Sequence, residues 1–456
     1  MKGGTGSGLN VTRATSFGNN GVIRTAGEWF HDGSALELFR APSEPEEVKL
    51  LHWNGSVLKV AAHVEHAGRK YAPVAIEPSV KKALRLPTRI APPETTRQLF
   101  DSVHDLLSSR LGQLESCITR MVFAVFESWL APVLPMAPLL WVFAPAGSPK
   151  NLVLQLLSLV CRRSLSLVAV RRADLLRLPM ALHPTLLLDE PDIQPAMQTL
   201  LQASSHRGLN VTSGRGVVEL FGPKIIFSRK LPHGTALETD VFRTALIPVP
   251  GQLPPLDRAT EENIAEEFQA RFMGYFLRNF SRVRRPSIDV TNLTGPVQDL
   301  ARSLGAAVVD DELQKRIVSL LADEDEEIRA DCARSFDSVV VEAGLFFIHQ
   351  GGWSKVRAES TAEKVEAIYK GRGSDQKVSP ESVGWAWRRL GIPSGRINRA
   401  GNGIELTVAT SRLIHRLAIS FGVRAIQGGL RADCRYCREL EPMIQHARAN
   451  VVGSGS

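Results

Sequence analysis

The chain has 456 residues, enough for about two to four domains and at least one substantial core. Its 44% apolar and 22% charged composition is that of a globular protein and excludes a fibrous or largely disordered one. A formal charge of +8 permits a nucleic-acid partner without demanding one, and five cysteines in no dense, even pattern exclude a disulfide scaffold and point to a reducing, cytoplasmic setting.

Met1 to Gly6 carries no apolar run, so no secretion signal is expected, and the Asn-x-Thr triplets at Asn10, Asn210 and Asn292 are read as chance. Met121 to Phe143 comes nearest to a membrane span. Glu127, Pro132, Pro135 and Pro138 interrupt it, and the expected form is a buried helix, a turn and a buried strand, with no membrane partner. Residues 1–27 are rich in Gly, Ser, Thr and Asn and read as a flexible lead-in. In 28–86 the runs Leu36–Phe39, Val48–Trp53, Val57–Val60 and Tyr71–Ala75 alternate with Asp32-Gly33, Asn54-Gly55 and Ala67-Gly68, which predicts a small antiparallel β domain. In 95–137, Phe100, Val103, Leu106, Leu107, Leu111 and Leu114 recur at helical spacing.

Residues 138–250 predict an α/β core. Strands are expected at Leu139–Phe143, Ser164–Val170, Thr185–Leu188, Gly216–Leu220, Lys224–Ser228 and Thr244–Pro248, and helices at Asn151–Cys161, Ala173–Leu178 and Ile193–Ala203. Apolar strands alternating with helices make a mainly parallel sheet covered on both faces. After a Pro-rich linker, 259–369 reads as a helical domain, with helices at Thr291–Leu304, Glu312–Leu321, Glu326–Gly344 and Lys355–Tyr369; the acidic run Asp323 to Glu327 is expected to start one of them. A helix-turn-helix with a wing is expected in 379–425, and a tail with a Cys-x-x-Cys pair in 426–456.

Two stretches of the core carry chemistry. A phosphate-binding loop reads G-x-x-x-x-G-K-[ST]: backbone N–H groups cradle phosphate, the lysine reaches the outer phosphates and the hydroxyl holds Mg2+. Ala144 to Asn151 keeps the inner Gly147 and Lys150, but has Ala144 and Pro149 at the outer glycine positions and Asn151 at the hydroxyl position. Pro149 offers no N–H, and Asn151 has a carbonyl oxygen in place of a hydroxyl. The degenerate loop therefore predicts weakened binding of ATP and Mg2+, or none, with Gly147, Ser148, Lys150 and Asn151 as the residues that would hold them. Asp189 ends an apolar run 39 residues after Lys150 (189 − 150) and would hold Mg2+, while Glu190 would polarise the attacking water. Ser228 follows a strand, where it could sense the terminal phosphate, and Arg243 could serve as an arginine finger. His183 and His206 are read as polar contacts at the mouth of the core.

The run Pro184 to Asp192, with Ser205 to Gly208, Phe221 to Ile226, Leu231-Pro232 and Asp240 to Arg243, resembles the ATPase domains of phage and mobile-element replication proteins. These are primase-associated, superfamily-three or AAA-related helicases. The resemblance spans about 95–425 and implies an α/β P-loop NTPase core, DNA as partner, other replication proteins and a homo-oligomeric ring. It also implies Lys150 on phosphates, Asp189 and Glu190 on Mg2+ and water, and Arg243 acting across a subunit boundary. A catalytically inactive P-loop scaffold binding DNA or protein partners, and a winged-helix transcription regulator, are the alternatives.

For the C-terminal module, Arg388, Arg389, Arg396, Arg399, Arg412 and Arg416 are the expected phosphate contacts. Cys434 and Cys437 have the inner spacing of a zinc site, and His415 and His446 could complete four ligands. That spacing is not a standard one, so a plain cysteine pair is the expectation and zinc is not. Cys117, Cys161 and Cys332 are read as core residues.

Overall fold

The computed structural model describes residues 16–17, 21–44, 47–213, 216–230, 241–249, 251, 253–283, 288–398, 401–423 and 433–439. Leu231, Pro232, Asp240, Arg399 and His446 lie outside them, as does much of the lead-in and of the tail. The chain divides into two compact units, one within 1–290 and 295–320, the other within 291–294 and 321–456. That division falls inside the stretch 259–369, which the sequence reads as one helical domain.

Eight short strands open the first unit: β1 (Ser16–Phe17), β2 (Val22–Thr25), β3 (Gly27–Trp29), β4 (Ala35–Arg40), β5 (Val48–Trp53), β6 (Leu58–Ala61), β7 (Val64–His66) and β8 (Arg69–Pro73). They form two four-stranded sheets, ordered β1-β2-β8-β7 and β3-β4-β5-β6. All pairings are antiparallel except β2 with β8. The Asn54 carboxamide accepts the N–H groups of Ser56 and Val57 at 3.1 and 2.7 Å, which closes the turn between β5 and β6. Leu36, Leu38 and Leu50 are buried in the same apolar cluster as Leu139, Trp141, Leu186 and Leu188, so the β region shares its core with the α/β sheet.

Helices α1 (Pro78–Ala83), α2 (Thr96–Leu111) and α3 (Glu115–Leu130) follow. Thr95 and Gln98 form a capping box at the start of α2, and Gly112, in the left-handed region at φ 58°, ends it. α3 begins the one described helical stretch long and apolar enough to cross a membrane, yet 83% of that window is buried inside the protein. Its Trp129 stacks on Phe272 at 5.5 Å.

The central sheet has five parallel strands: β9 (Leu139–Phe143), β10 (Ser164–Val168), β11 (Thr185–Asp189), β14 (Lys224–Ser228) and β15 (Val241–Ala245), in the order β10-β11-β14-β9-β15. Between them run α4 (Lys150–Val160), α5 (Arg172–Leu175) and α6 (Pro195–Ala203). β12 (Asn210–Ser213) and β13 (Gly216–Glu219) pair with each other, as an antiparallel hairpin in a sheet of their own among the described residues. The expected strand at 216–220 is present at 216–219, but as a hairpin arm and not as a member of the parallel sheet. The expected strand at 244–248 lies earlier, because Val241 and Phe242 are the buried pair that packs beside β9.

α7 (Arg258–Asn279) and α8 (Gly295–Ala306) complete most of the first unit, and α9 (Asp311–Arg334) leads into the second. α9 runs through the acidic stretch, so Asp323 to Glu327 do not start a helix. Asp325 is fully buried there and accepts from the N–H and hydroxyl of Thr294. The second unit continues with α10 (Phe336–Gln350), β16 (Lys355–Arg357), α11 (Ala358–Gly371), α12 (Pro380–Arg389), β17 (Ser394–Asn398), β18 (Gly401–Glu405) and α13 (Val408–Ser420). The strands pair antiparallel in the order β16-β18-β17. β16 occupies the first residues of the expected helix 355–369, because Val356 is buried opposite Ile404 of β18. Val340, Val365, Val383, Trp387, Ile404 and Ile414 close one core, which reaches back well before residue 379.

Candidate functional site

β9 is an uninterrupted apolar run buried on both faces, as an interior parallel strand requires, and it delivers the chain to the loop 144–149. The Ala144 N–H pairs with the Ser228 carbonyl at 2.8 Å, which fixes the root of the loop to β14. Gly147 takes φ 84°, open to it at no steric cost. The Pro145 carbonyl accepts both the N–H of Ser148 at 3.2 Å and its hydroxyl at 2.7 Å. Pro149 caps α4 without a side-chain hydrogen bond. The loop has the length of a phosphate cradle, but one of its donors is spent on Pro145 and another is absent at Pro149.

Lys150 opens α4 and donates to both carboxylate oxygens of Asp189, each at 2.7 Å. Asp189 ends β11, two strands away from β9, with β14 between them. The structure therefore brings together the lysine and the acid at the carboxyl edge of a parallel sheet, where open α/β folds bind ligands. Glu190 is committed elsewhere: its carboxylate accepts the Val170 N–H, which ties β11 to the segment after β10. Asn151 is exposed on the first turn of α4.

Ser228 is buried at the end of β14, and its hydroxyl donates to the Pro191 carbonyl at 3.2 Å. It lines a cavity of about 540 Å³ with Trp141, Phe143, Ile193 and Lys230. Trp141 belongs to the core cluster of Leu186 and Leu188, and strand alternation sends Asp189 to the opposite face. The cavity and the Lys150–Asp189 pair thus lie on opposite faces of the sheet, which separates Ser228 from the role expected of it. Arg243 is half-buried in the middle of edge strand β15, opposite Trp141, and its carbonyl accepts from Arg120 at 2.8 Å. The strand thus begins before Arg243 and not at the expected Thr244, which places this arginine mid-strand rather than at a loop tip. His183 precedes β11, and His206 bridges to Met136 ahead of β9. Both therefore sit at amino ends of strands, away from the loop.

Sequence reasoning missed a buried ion triad. Glu37 of β4 is 1% exposed and binds Arg162 at 2.6 and 2.9 Å and Arg163 at 2.7 Å. Arg163 also donates to the carbonyls of Leu182 and Ala26, each at 2.6 Å. Burial, with Arg162 beside it, pushes the Arg163 guanidinium down to about 9, against the pull of Glu37. The doubled arginine after α4 was the available signal; its partner lies 125 residues earlier.

In the second unit, Arg388, Arg396 and Arg416 are exposed, and Arg388 lies over the Trp385 ring at 4.9 Å. Arg389 is paired with Asp337 of α10, and Arg412 with Glu439 at 2.7 and 3.0 Å. Both pairs lie at the surface, with the two arginine side chains about half exposed. Cys434 and Cys437 come together with His415 and with His349, a residue that the sequence reading did not single out. The ligand atoms of the four lie within 4.8 Å of one another. Cys434 and Cys437 are therefore part of a candidate metal cluster, which revises the expectation of a plain pair.

No family model matches the chain, and no curated protein matches it. Among solved structures, it is similar to the NrS-1 C-terminal region at 13% identity, over 82% of this chain and 97% of that one, with a TM-score of 0.33. A full-length MCM homolog from Methanopyrus kandleri is 11% identical over 61% of this chain and 75% of that one, with a TM-score of 0.34. The Aeropyrum pernix ORC1 protein in complex with DNA is 15% identical over 66% and 92%, with a TM-score of 0.18. At such identities and scores the likeness is loose.

Proposed function

We propose that this chain is a DNA-handling protein built on a P-loop ATPase core of the helicase or AAA-related kind, with weakened nucleotide binding. The observation that carries the reading is the pairing of Lys150 with Asp189 at the carboxyl edge of an all-parallel sheet. In a P-loop site the lysine there holds phosphate and the acid holds Mg2+, and each neutralises the other until nucleotide arrives. The helix, strand, two helices, hairpin and helix from α10 to α13 support a winged-helix assignment. α12 is then the helix for the major groove and the β17–β18 hairpin the wing. Arg388, Arg396 and Arg416 supply phosphate contacts in that assignment. Action in phage or mobile-element replication, a ring of subunits and replication-protein partners follow from the sequence resemblance.

Specific observations favour a second reading, a scaffold without hydrolysis. Ser148 spends its N–H within the loop, Pro149 has none, and the Glu190 carboxylate is held by Val170. ATP affinity of the full chain with Mg2+, measured beside Lys150→Ala, separates the two. Micromolar binding that the substitution abolishes supports the ATPase reading. No binding up to millimolar ATP, with DNA binding intact, sinks it and leaves the scaffold.

A further inference from the structure

The cluster in the second unit has the dimensions of a closed metal centre. His349 sits in the last turn of α10, His415 in the middle of α13, Cys434 just before the helical turn that begins at 435, and Cys437 within it. His349 Nε2 lies 3.2 Å from His415 Nε2 and 3.3 Å from Cys437 Sγ, and Cys434 Sγ lies 3.4 Å from His415 Nε2. A tetrahedral centre with ordinary zinc bond lengths sets N···N edges of about 3.3 Å and N···S edges of about 3.5 Å. The observed separations are those edges. The tautomer of His415 fits as well. Its Nδ1–H donates to the Ser411 carbonyl at 2.7 Å, so the Nε2 lone pair points into the cluster, the arrangement in which an outer hydrogen bond orients a metal-bound imidazole.

We propose that His349, His415, Cys434 and Cys437 form a structural site for a thiophilic divalent metal, Zn2+ by their chemistry. Two thiolates cancel the charge of the ion and two neutral imidazoles add none, which suits a place where His415 and Cys437 are 3% and 2% exposed. Four protein ligands leave no open position, so the metal is structural rather than catalytic. Two sulfurs and two nitrogens in a tetrahedron select zinc over magnesium or calcium, which take oxygen ligands. The metal would fasten the segment 433–439 to α10 and α13, the helices that frame the core of this unit.

The test is metal analysis of the full chain purified in zinc-supplemented medium, followed by exchange with Co2+. The expected result is about one zinc per chain and, with Co2+, the visible bands of tetrahedral cobalt with thiolate charge transfer. Cys434→Ser and His349→Asn should each abolish the stoichiometric metal and the thiolate bands. Cys434 and His349 are the partly exposed members of the four, so these variants least disturb the core. A wild-type chain without stoichiometric metal that gives no tetrahedral cobalt spectrum overturns the proposal, whatever the variants do. So does cobalt binding that survives both substitutions unchanged.

Discussion

Glu37→Ala should be among the most damaging single substitutions in the first unit. The carboxylate is 1% exposed and accepts from two guanidinium groups at 2.6–2.9 Å. Removing it leaves two cations side by side in the core, at 1% and 2% exposure. Losing one partner of a buried pair costs about 3–5 kcal/mol, because the remaining charge is neither solvated nor neutralised. In many proteins, replacing all members by apolar residues recovers that loss. Here recovery should fail. The arginines also serve the carbonyls of Ala26, Leu182 and His183, and each buried acceptor left without a donor costs about 1–3 kcal/mol. Glu37→Leu with Arg162→Met and Arg163→Met should therefore stay less stable than the parent. Urea denaturation followed by tryptophan fluorescence measures both, Trp29 being buried on the neighbouring strand β3. A cost below about 1 kcal/mol for Glu37→Ala, or a triple variant more stable than the parent, would refute the reasoning.

Two further outcomes are expected. Arg388→Ala and Arg396→Ala should each weaken DNA binding and lower the slope of log affinity against log salt by about 1, whereas Arg389→Ala, whose charge is held by Asp337, should leave the slope unchanged. Salt titrations of binding to a duplex check this; no loss for Arg388→Ala and Arg396→Ala would remove α12 and the hairpin as the DNA face, and a loss for Arg389→Ala equal to theirs would refute its sequestration by Asp337. The second concerns acid. Burial and then the His66 charge hold the His52 imidazole below its ordinary range; Lys59 acts in the same direction and Asp32 against it. As pH falls below about 6.5, the unfolded chain takes up a proton that the folded chain refuses, so stability is lost at up to about 1.4 kcal/mol per pH unit. His52→Gln should flatten the denaturation midpoint between pH 7 and pH 5; an unchanged slope would contradict the assignment.

The part of the site legible in the sequence was the part that local pattern controls. Thr185 to Asp189 reads as a buried strand because four apolar or small residues precede two acids, and Leu139 to Phe143 reads likewise. What escaped depends on pairing at a distance. Glu37 lies between Leu36 and Leu38 in a strand whose alternation reads as half-solvated, yet its face is closed by arginines 125 and 126 residues later. Lys355 to Arg357 is too short to show a period and merges with the helix that follows. Asp325 looks like one solvated acid in a row of five, yet it is buried and bonded to Thr294 and Arg329.

The two functional clusters divide along the same line. The Lys150–Asp189 meeting could be anticipated because strand, loop and helix bring each residue to a sheet edge by local geometry alone. The spacing of residues 144–151 could also place a lysine on phosphate. It could not tell that the Ser148 N–H turns inward to Pro145, nor that Glu190 is held by Val170. Nucleotide affinity depends on donors that remain unspent after folding, and that inventory is a property of the closed loop. The metal cluster is the extreme case. His349 and His415 stand 66 residues apart on different helices, so no ligand spacing announces them. They meet because the apolar faces of α10 and α13 pack in one core, and the Cys-x-x-Cys turn then needs only to reach the two histidines.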